Sequence, residues 1–410
     1  MAANPNTLSP DNPKYWSRRM QVKRSKETVY QDLASFAEEV TLKKGSVVDR
    51  PYRSALTVNT LGGDGAYTRQ ALVDTSETLT VNIEKEISIY IKETDEIQNN
   101  YKIANEYIDD GSKRAGEQMD GDFLGEATNA SSVVGAYEIA GTGSAGDGLG
   151  FTLTISNIEK VFAIARRKLK RKHISTINRW AVISPEFEEV LYQYLAGKES
   201  ALGDKVGTNP NEIGMRGGFR LFVSESNLWT AELVMSDVAV ANDTLVINGV
   251  TFTAKASPAA AGEFDVEASA SAQGDTIVAM LTNSSGYAAS AGDANDYIEV
   301  TAANRALLTG ISAVNVSGTV TIRGEGAGFW AVSETLTNGA FTTAKQIQHN
   351  LFGQGKPVDM VVQKYPKVKP VPRTGYVGMD YVIWWLYGIK SFLEGRDAMV
   401  DVLVRSESFV

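Results

Sequence analysis

The chain has 410 residues, of which 43% are hydrophobic and 22% are charged, and its formal net charge is −9. This length allows two or three domains with cores of their own, while the absence of cysteine excludes a disulfide-stapled scaffold and thiolate metal sites. The mild acidic balance argues against a nucleic-acid binder whose whole surface is basic. No signal peptide opens the sequence, and the densest apolar stretch, residues 381–389, is too short to cross a bilayer. We therefore expect a chain of the reduced cytosol with no membrane partner.

Residues 1–30 contain too few apolar side chains to form a core. The sequence predicts an extended arm there, which becomes ordered only on a partner surface. A short helical patch follows, with Val29, Leu33, Phe36 and Ala37 at helical spacing. The arm also holds a cationic cluster without acids, which favours a docking contact. Its members are Lys14, Arg18, Arg19, Lys23, Arg24 and Lys26.

Residues 58–72 read VNTLGGDGAYTRQAL, with three glycines at the tip and polar or basic side chains on both faces of the flanking runs. This pattern predicts a hairpin that gains little from its own fold. It therefore needs a second surface to hold it.

Apolar and polar residues alternate through residues 78–91, broken only by Lys85, and this pattern predicts one half-buried strand. Thr94 follows as a predicted N-cap of a long helix over 95–128. The glycines of that helix lower its intrinsic propensity, so we expect neighbouring elements to support it. They are Gly111, Gly116 and Gly121.

The glycine-rich residues 135–150 predict a flexible joint and a first domain boundary. An α/β layer is expected beyond it, because an amphipathic helix from Ile158 to Leu169 precedes a strand at 179–184. Ser184 is the predicted N-cap of the next helix, and a second strand is expected at 219–226.

The first of these helices ends in the cationic run RRKLKRK at 166–172. Cations stabilise the C-terminal end of a helix dipole, so an ordinary stabilised surface is one interpretation. Contact with nucleic acid or with a neighbour's acidic patch is the other. The residues assigned to such a contact are Arg166, Arg167, Lys170 and Arg171.

Residues 237–327 are rich in Ala, Gly, Ser, Thr, Asp and Asn, and Lys255 is their only lysine. Asn248 and Gly249 stand between two β runs, a strong signal for a two-residue hairpin turn. The segment is predicted to be an inserted β-rich domain. A helix-like segment is expected near 340–352, and the chain closes on strand-like runs.

Three patterns are candidates for a catalytic, cofactor or metal site. GTGSAG at 141–146 has the Gly-x-Gly-x-x-Gly spacing, but no helix follows to hold a pyrophosphate, so a linker is favoured. His173 and His349 lack a triad signature, and the acids Asp120, Asp122 and Glu126 lack calcium-loop spacing. We therefore predict no catalytic residue, no cofactor site and no metal site.

The order of these parts resembles a tailed-bacteriophage major capsid protein, whose shell fold is shared with encapsulins. The stretches that carry the likeness are TSETLTVNIEKEISIYIKETDEIQNN, QMDGDFLGEA, RWAVISPEFEEVLYQYL, GMRGGFRLFVSESNL, NDTLVINGVTFTAK and VIWWLYGIKSFLEGRDAMVDVLV. They cover nearly the whole chain, although each is degenerate and none is catalytic.

The resemblance implies an α+β capsid fold with six parts. They are an N-arm at 1–35, an E-loop at 40–77, a P domain with a long spine helix at 78–130 and 355–375, an A domain at 150–236 and 328–354, the inserted β-rich domain at 237–327, and closing A/P-domain strands at 376–410. The E-loop would lie across an adjacent subunit. Its implied contact residues are Arg50, Arg53, Asp64 and Arg69.

The resemblance also implies the partners and the location. The chain would assemble with itself into hexamers and pentamers of a virion shell in the host cytoplasm, and would touch packaged DNA non-specifically. A separate scaffolding protein is expected, because there is no room for a scaffolding segment ahead of the arm; a portal and a decoration protein complete the set. An encapsulin-like nanocompartment shell, a β-rich phage adhesin or decoration protein, and an enzyme acting through His173 or His349 are the alternatives.

Overall fold

The computed structural model describes residues 25–93 without 40, 41, 43, 44, 54, 55, 64, 66, 68, 72 and 73; residues 103–196 and 214–282; residues 297–372 without 327 and 329; and residues 375–406. The first half contains α1 (Tyr30–Leu33), β1 (Ala34–Ser35), β2 (Val47–Arg53), β3 (Asp74–Thr80), β4 (Ile83–Lys92), α2 (Ile103–Gly125), β5 (Ser132–Val134), α3 (Ala136–Ala140), α4 (Ile158–Arg171), β6 (Arg179–Ile183), α5 (Pro185–Ala196), β7 (Met215–Arg216) and β8 (Phe219–Val223).

The second half is mostly strands. It contains β9 (Trp229–Met235), β10 (Thr244–Ile247), β11 (Val250–Lys255), β12 (Glu263–Asp265), α6 (Ala270–Thr282), α7 (Ala302–Leu307), β13 (Ile311–Val316), β14 (Thr319–Gly324), β15 (Val332–Glu334), β16 (Gly339–Phe341), β17 (Ile347–Gln354), β18 (Val358–Pro372), β19 (Gly378–Lys390), α8 (Leu393–Asp397) and β20 (Met399–Arg405). The mixture of helices with several sheets confirms the predicted α+β class.

The largest sheet has the order β13-β14-β9-β17-β6-β8-β7, with β16 along β9 and β20 between β17 and β5. Helices α4 and α5 supply apolar faces to its core, where the Phe162 ring lies 5.4 Å from Phe352 and 6.0 Å from Phe187. The Ser184 hydroxyl accepts the backbone N–H of Phe187 at 3.2 Å. This layer and its predicted N-cap are confirmed, because both depend on local periodicity and capping chemistry.

A second sheet, β1-β18-β19-β4, packs against α2. The single strand expected at 78–91 is wrong, because the chain breaks at 81–82 into β3 and β4, which belong to different sheets. Leu79 and Val81 face a small core around Phe392, whereas Ile83 and Ile87 pack on the α2 side. A continuous alternation in sequence therefore serves two separate cores.

In the described part of the chain, helix α2 spans Ile103–Gly125, a length of about 34 Å. The predicted helix ran from 95 to 128; its end at 126–129 is a 3-10 turn, and Thr94 with residues 95–102 lies outside the described residues. Two of its glycines are contact points: a Cβ at Gly111 would lie 2.5 Å from Ile383, and one at Gly121 would lie 2.9 Å from the Gly326 nitrogen.

The segment expected to form a helix near 340–352 is instead strand β17, after a 3-10 turn at 343–345. Residues 347–353 are all buried. A strand covered on both faces shows no alternation of apolar and polar residues, which is why the pattern misled the prediction.

The first residues of the predicted joint at 135–150 pack on the large sheet, whereas residues 141–146 are exposed. Residues 132–134 pair in parallel with β20, and Ala136 and Ile139 are buried with α4. The helical spacing of these two side chains is easily missed among the glycines.

The Asn248-Gly249 turn joins β10 to β11, and both residues have positive φ, 49° and 78°, as a type I′ turn requires. Strands β12, β11, β10 and β15 form a third sheet. Its strand β15 lies beyond the predicted insertion 237–327, whereas β14 lies within that range and pairs with β9 of the large sheet. Strand pairings therefore cross both predicted limits of the insertion. The limits themselves remain a prediction.

Candidate functional site

Strands β2 and β3 form a two-stranded hairpin that pairs with no other described strand. The described residues 56–71 beyond it are exposed. Large apolar side chains are among them, 62–97% exposed, which is unusual for a surface with no partner. They are Leu56, Val58, Leu61 and Tyr67.

The four hairpin residues predicted to contact a neighbour differ in their surroundings. The side chain of Arg53 is 89% exposed, with Asp74 at 3.9 Å, and Arg69 is exposed as well. Asp64 lies outside the described residues. Arg53 and Arg69 are therefore free to meet a second molecule.

Arg50 is different, because its guanidinium is engaged within its own chain. It donates to Glu38 at 2.8 Å and to Asp359 at 2.9 Å, and it lies 4.1 Å from the centre of the Phe392 ring. The paired carboxylates raise the pKa of Arg50 against the lowering effect of burial. Within its own chain Arg50 therefore anchors the hairpin base, and its predicted contact with a neighbour stays a prediction.

The end of the predicted arm lies on α2. The backbone N–H of Lys26 donates to Glu117 at 2.6 Å, and its ammonium donates to the carbonyl of Gly326 at 2.6 Å. Lys26 is therefore bound within its own chain. The other cationic residues of the predicted arm cluster lie outside the described residues; they are Lys14, Arg18, Arg19, Lys23 and Arg24.

Asp120 of α2 is the second anchor of this segment. It is fully buried, and its Oδ1 accepts the backbone N–H groups of Val29 and Tyr30 at 2.7 and 2.9 Å. Burial raises the pKa of Asp120 to about 6, although the two N–H donors act in the opposite direction.

The cationic run at the end of α4 divides into two groups. Lys168 pairs with Glu138, and Lys172 pairs with Asp397 at 2.9 Å. The other four cations are exposed, and none of them lies within 4 Å of a carboxylate in the described part of the chain. They are Arg166, Arg167, Lys170 and Arg171, the residues predicted from sequence.

Sequence reasoning missed a second group of three cations. Arg179, Arg220 and Lys356 line one cleft of about 550 Å³. The available signal was Arg179 itself, because a cation that opens the otherwise apolar strand RWAVI is unusual.

The two histidines and the glycine motif lie in surroundings typical of structural rather than catalytic residues. Nδ1 of the buried His349 lies 2.7 Å from Asp401, and its Nε2 lies 2.9 Å from the Thr230 hydroxyl, so the three side chains connect neighbouring strands. His173 is exposed just after α4. GTGSAG forms turns with no helix directly after it.

The three acids that lack calcium-loop spacing each bond to a different partner. Asp120 bonds the arm, Asp122 accepts from Tyr387, and Glu126 accepts from Ser391 at 2.5 Å. Within the described residues, no group of three or more potential ligands is placed to hold a metal ion. No helix in that part of the chain is long and apolar enough to span a membrane.

Solved phage capsid structures share this fold. The structure of Mycobacterium phage Che8 matches with a TM-score of 0.57 at 14% identity, covering 96% of this chain and 98% of that chain. The capsid of cyanophage P-SCSP1u matches with a TM-score of 0.54 at 10% identity, and the mature capsid of bacteriophage PhiM1 with 0.51 at 11%; each covers 96% of this chain and 92% of the other. No protein-family model and no curated protein matches the sequence.

Proposed function

We propose that this chain is the major capsid protein of a tailed bacteriophage and that many copies assemble into an icosahedral shell around double-stranded DNA. The observation that carries the proposal is the match along almost the full length of both chains, since 96% of this chain superposes on 98% of the Che8 chain. A fold shared over one domain alone would support much less, because folds host unrelated functions.

The parts of the chain receive roles under this proposal. The hairpin β2–β3 and its exposed tip form the E-loop, α2 is the spine helix, and the sheet of β4, β18 and β19 is the P domain. The large sheet with α4 and α5 forms most of the A domain. Residues 1–35 form the N-arm, fixed to the spine helix at its inner end through Glu117 and Asp120.

The hairpin tip is the proposed grip between subunits. Its exposed apolar side chains gain roughly 25 cal/mol for each Å² removed from water when they pack on a neighbour. Arg53 and Arg69 would add rim ion pairs of about 0–1 kcal/mol each. Such weak contacts suit a shell, because symmetry repeats them in every subunit while wrong contacts still dissociate.

Negative-stain images of the purified protein provide the test. The wild type should give capsomers, tubes or shells, whereas a variant lacking residues 59–68 should stay folded and fail to close shells. A compact monomer at high concentration would refute the capsid proposal. Normal shells from the deletion would refute only the E-loop assignment.

A matched pair of substitutions sharpens the test. Val58→Asp with Leu61→Asp changes the hairpin tip, and Val314→Asp with Val316→Asp changes two residues of β13 that are 61% and 69% exposed. The tip variant should lose assembly and the β13 variant should keep it. The opposite result would move the subunit contact to the inserted segment.

A further inference from the structure

The cleft that holds Arg179 is built around a cation without an opposite charge. It lies between the loop after α4, the start of β6, the turn before β8 and the turn at Lys356, and Arg220 and Lys356 line it on two sides. Asp32 is the one carboxylate among its described lining residues, and it is exposed.

Arg179 is 3% exposed. Its Nε donates to the carbonyl of Ser175 at 2.7 Å and its Nη2 to that of Ile174 at 3.0 Å, while Nη1 donates to no acceptor in the described part of the chain. Burial and the nearby charge of Arg166 lower the pKa of Arg179. A buried cation with neutral partners only is unfavourable, so an anion from another molecule would stabilise it.

The two other cations of the cleft, Arg220 and Lys356, also lack an opposite charge within the part of the chain that the structure describes. Arg220 is exposed and lies 4.7 Å from the centre of the Phe222 ring, and Lys356 is exposed. Neither is paired with a carboxylate among the described residues. The charge of Arg166, one of the unpaired cations of α4, acts on Arg179, and α4 is about 21 Å long.

We propose that this cleft binds a backbone phosphate of nucleic acid, with Nη1 of Arg179 as a donor from its wall and with Arg220 and Lys356 beside it. The four exposed cations of α4 would contact further phosphates of the same duplex. One small anion cannot reach all of them, because the helix is about 21 Å long. Guanidinium and ammonium donors contact phosphates without reading sequence. The inference rests on the proposed function, and it turns this face toward the packaged DNA.

Fluorescence anisotropy with a labelled 30-bp duplex of random sequence tests the site in the full chain. The variant Arg220→Gln with Lys356→Gln should lower affinity about tenfold at 50 mM salt, and it should reduce the slope of log K against log salt by about two. The control Lys113→Gln with Lys255→Gln removes the same charge elsewhere and should leave the slope unchanged. Arg179→Gln, checked for folding by circular dichroism, should weaken binding further.

The remaining outcomes separate the possible ligands. Equal slopes for the cleft variant and the control would overturn the proposal. A larger loss of binding to a poly-glutamate peptide than to the duplex would assign the cleft to an acidic protein surface. Binding of inorganic phosphate as tight as the duplex would reduce it to a single-anion site. If the wild type forms no capsomers, tubes or shells in negative-stain images, the capsid proposal is overturned, whatever the salt slopes of DNA binding are.

Discussion

Arg50 in the hairpin lies 2.9 Å from Asp359 at the start of β18, two residues that are 309 positions apart in the sequence. The same guanidinium contacts Glu38 and the face of Phe392. The hairpin therefore leaves the body of the protein from a fixed base, while its apolar tip stays exposed. Under the proposed function, this fixed base sets the direction in which the tip meets a neighbouring subunit.

Replacing Arg50 should destabilise the folded subunit. Arg50→Ala leaves the largely buried Asp359 without its partner, and we expect a loss of about 1–3 kcal/mol in the free energy of unfolding. Arg53→Ala, which removes a highly exposed arginine from the same hairpin, should cost less than about 0.5 kcal/mol. Urea unfolding measures both, and a double-mutant cycle with Asp359→Asn should show coupling. Equal effects of the two arginines would contradict the anchor.

Two glycines of α2 should respond in opposite directions to alanine. A Cβ at Gly116 meets only a Thr28 methyl at 3.9 Å, so Gly116→Ala should stabilise the protein by about 0.5–1 kcal/mol through helix propensity. A Cβ at Gly121 would lie 2.9 Å from backbone atoms of Gly326, so Gly121→Ala should destabilise it. Thermal unfolding of the two variants side by side tests this, and stabilisation by both would mean that α2 and the Gly326 loop are not in contact.

Asp120 should make stability depend on pH with a definite sign. Its pKa of about 6 in the folded state is above the ordinary 3.8, so the folded state holds the proton more tightly. The contribution of Asp120 is therefore most favourable below about pH 4, falls as pH rises to about 6, and is constant above. The full step is at most about 3 kcal/mol.

Asp120→Asn removes this step and keeps an oxygen for the two N–H donors. Relative to the wild type, the variant should gain stability between pH 4.5 and 7.5 in urea unfolding. Asp109→Asn, a change at an exposed carboxylate of the same helix, is the control. A difference that does not vary with pH would show that Asp120 is not the group responsible.

The contacts of His349 with Asp401 and Thr230 should act as a cross-strand support. Asp401→Ala leaves a buried imidazole nitrogen without a partner and should cost about 1–3 kcal/mol, whereas Asp401→Asn, which keeps an acceptor, should cost less. Chemical denaturation gives both values. If the purified protein instead showed a hydrolytic activity that His349→Gln abolished, the enzyme alternative would be revived.

The sequence specified those features whose signal is local. The buried face of α4, the Ser184 cap and the Asn248-Gly249 turn each depend on residues within a few positions, so periodicity and turn chemistry predicted them. The exposed cations of α4 belong to this group as well, since their spacing on one helix places them away from its apolar face.

Tertiary structure decided whatever depends on partners distant in the chain. Strand β17 is buried on both faces because Phe352 packs in the core of α4 and α5, while Leu351 packs in the core of α2. Arg50 is an anchor because it pairs with Asp359 and Glu38. Arg179 lines one cleft with Arg220 and Lys356 only because the fold brings these three distant segments together. A local pattern indicates which face of an element is buried, but it does not indicate which other element packs on that face. That choice depends on contacts between segments hundreds of residues apart.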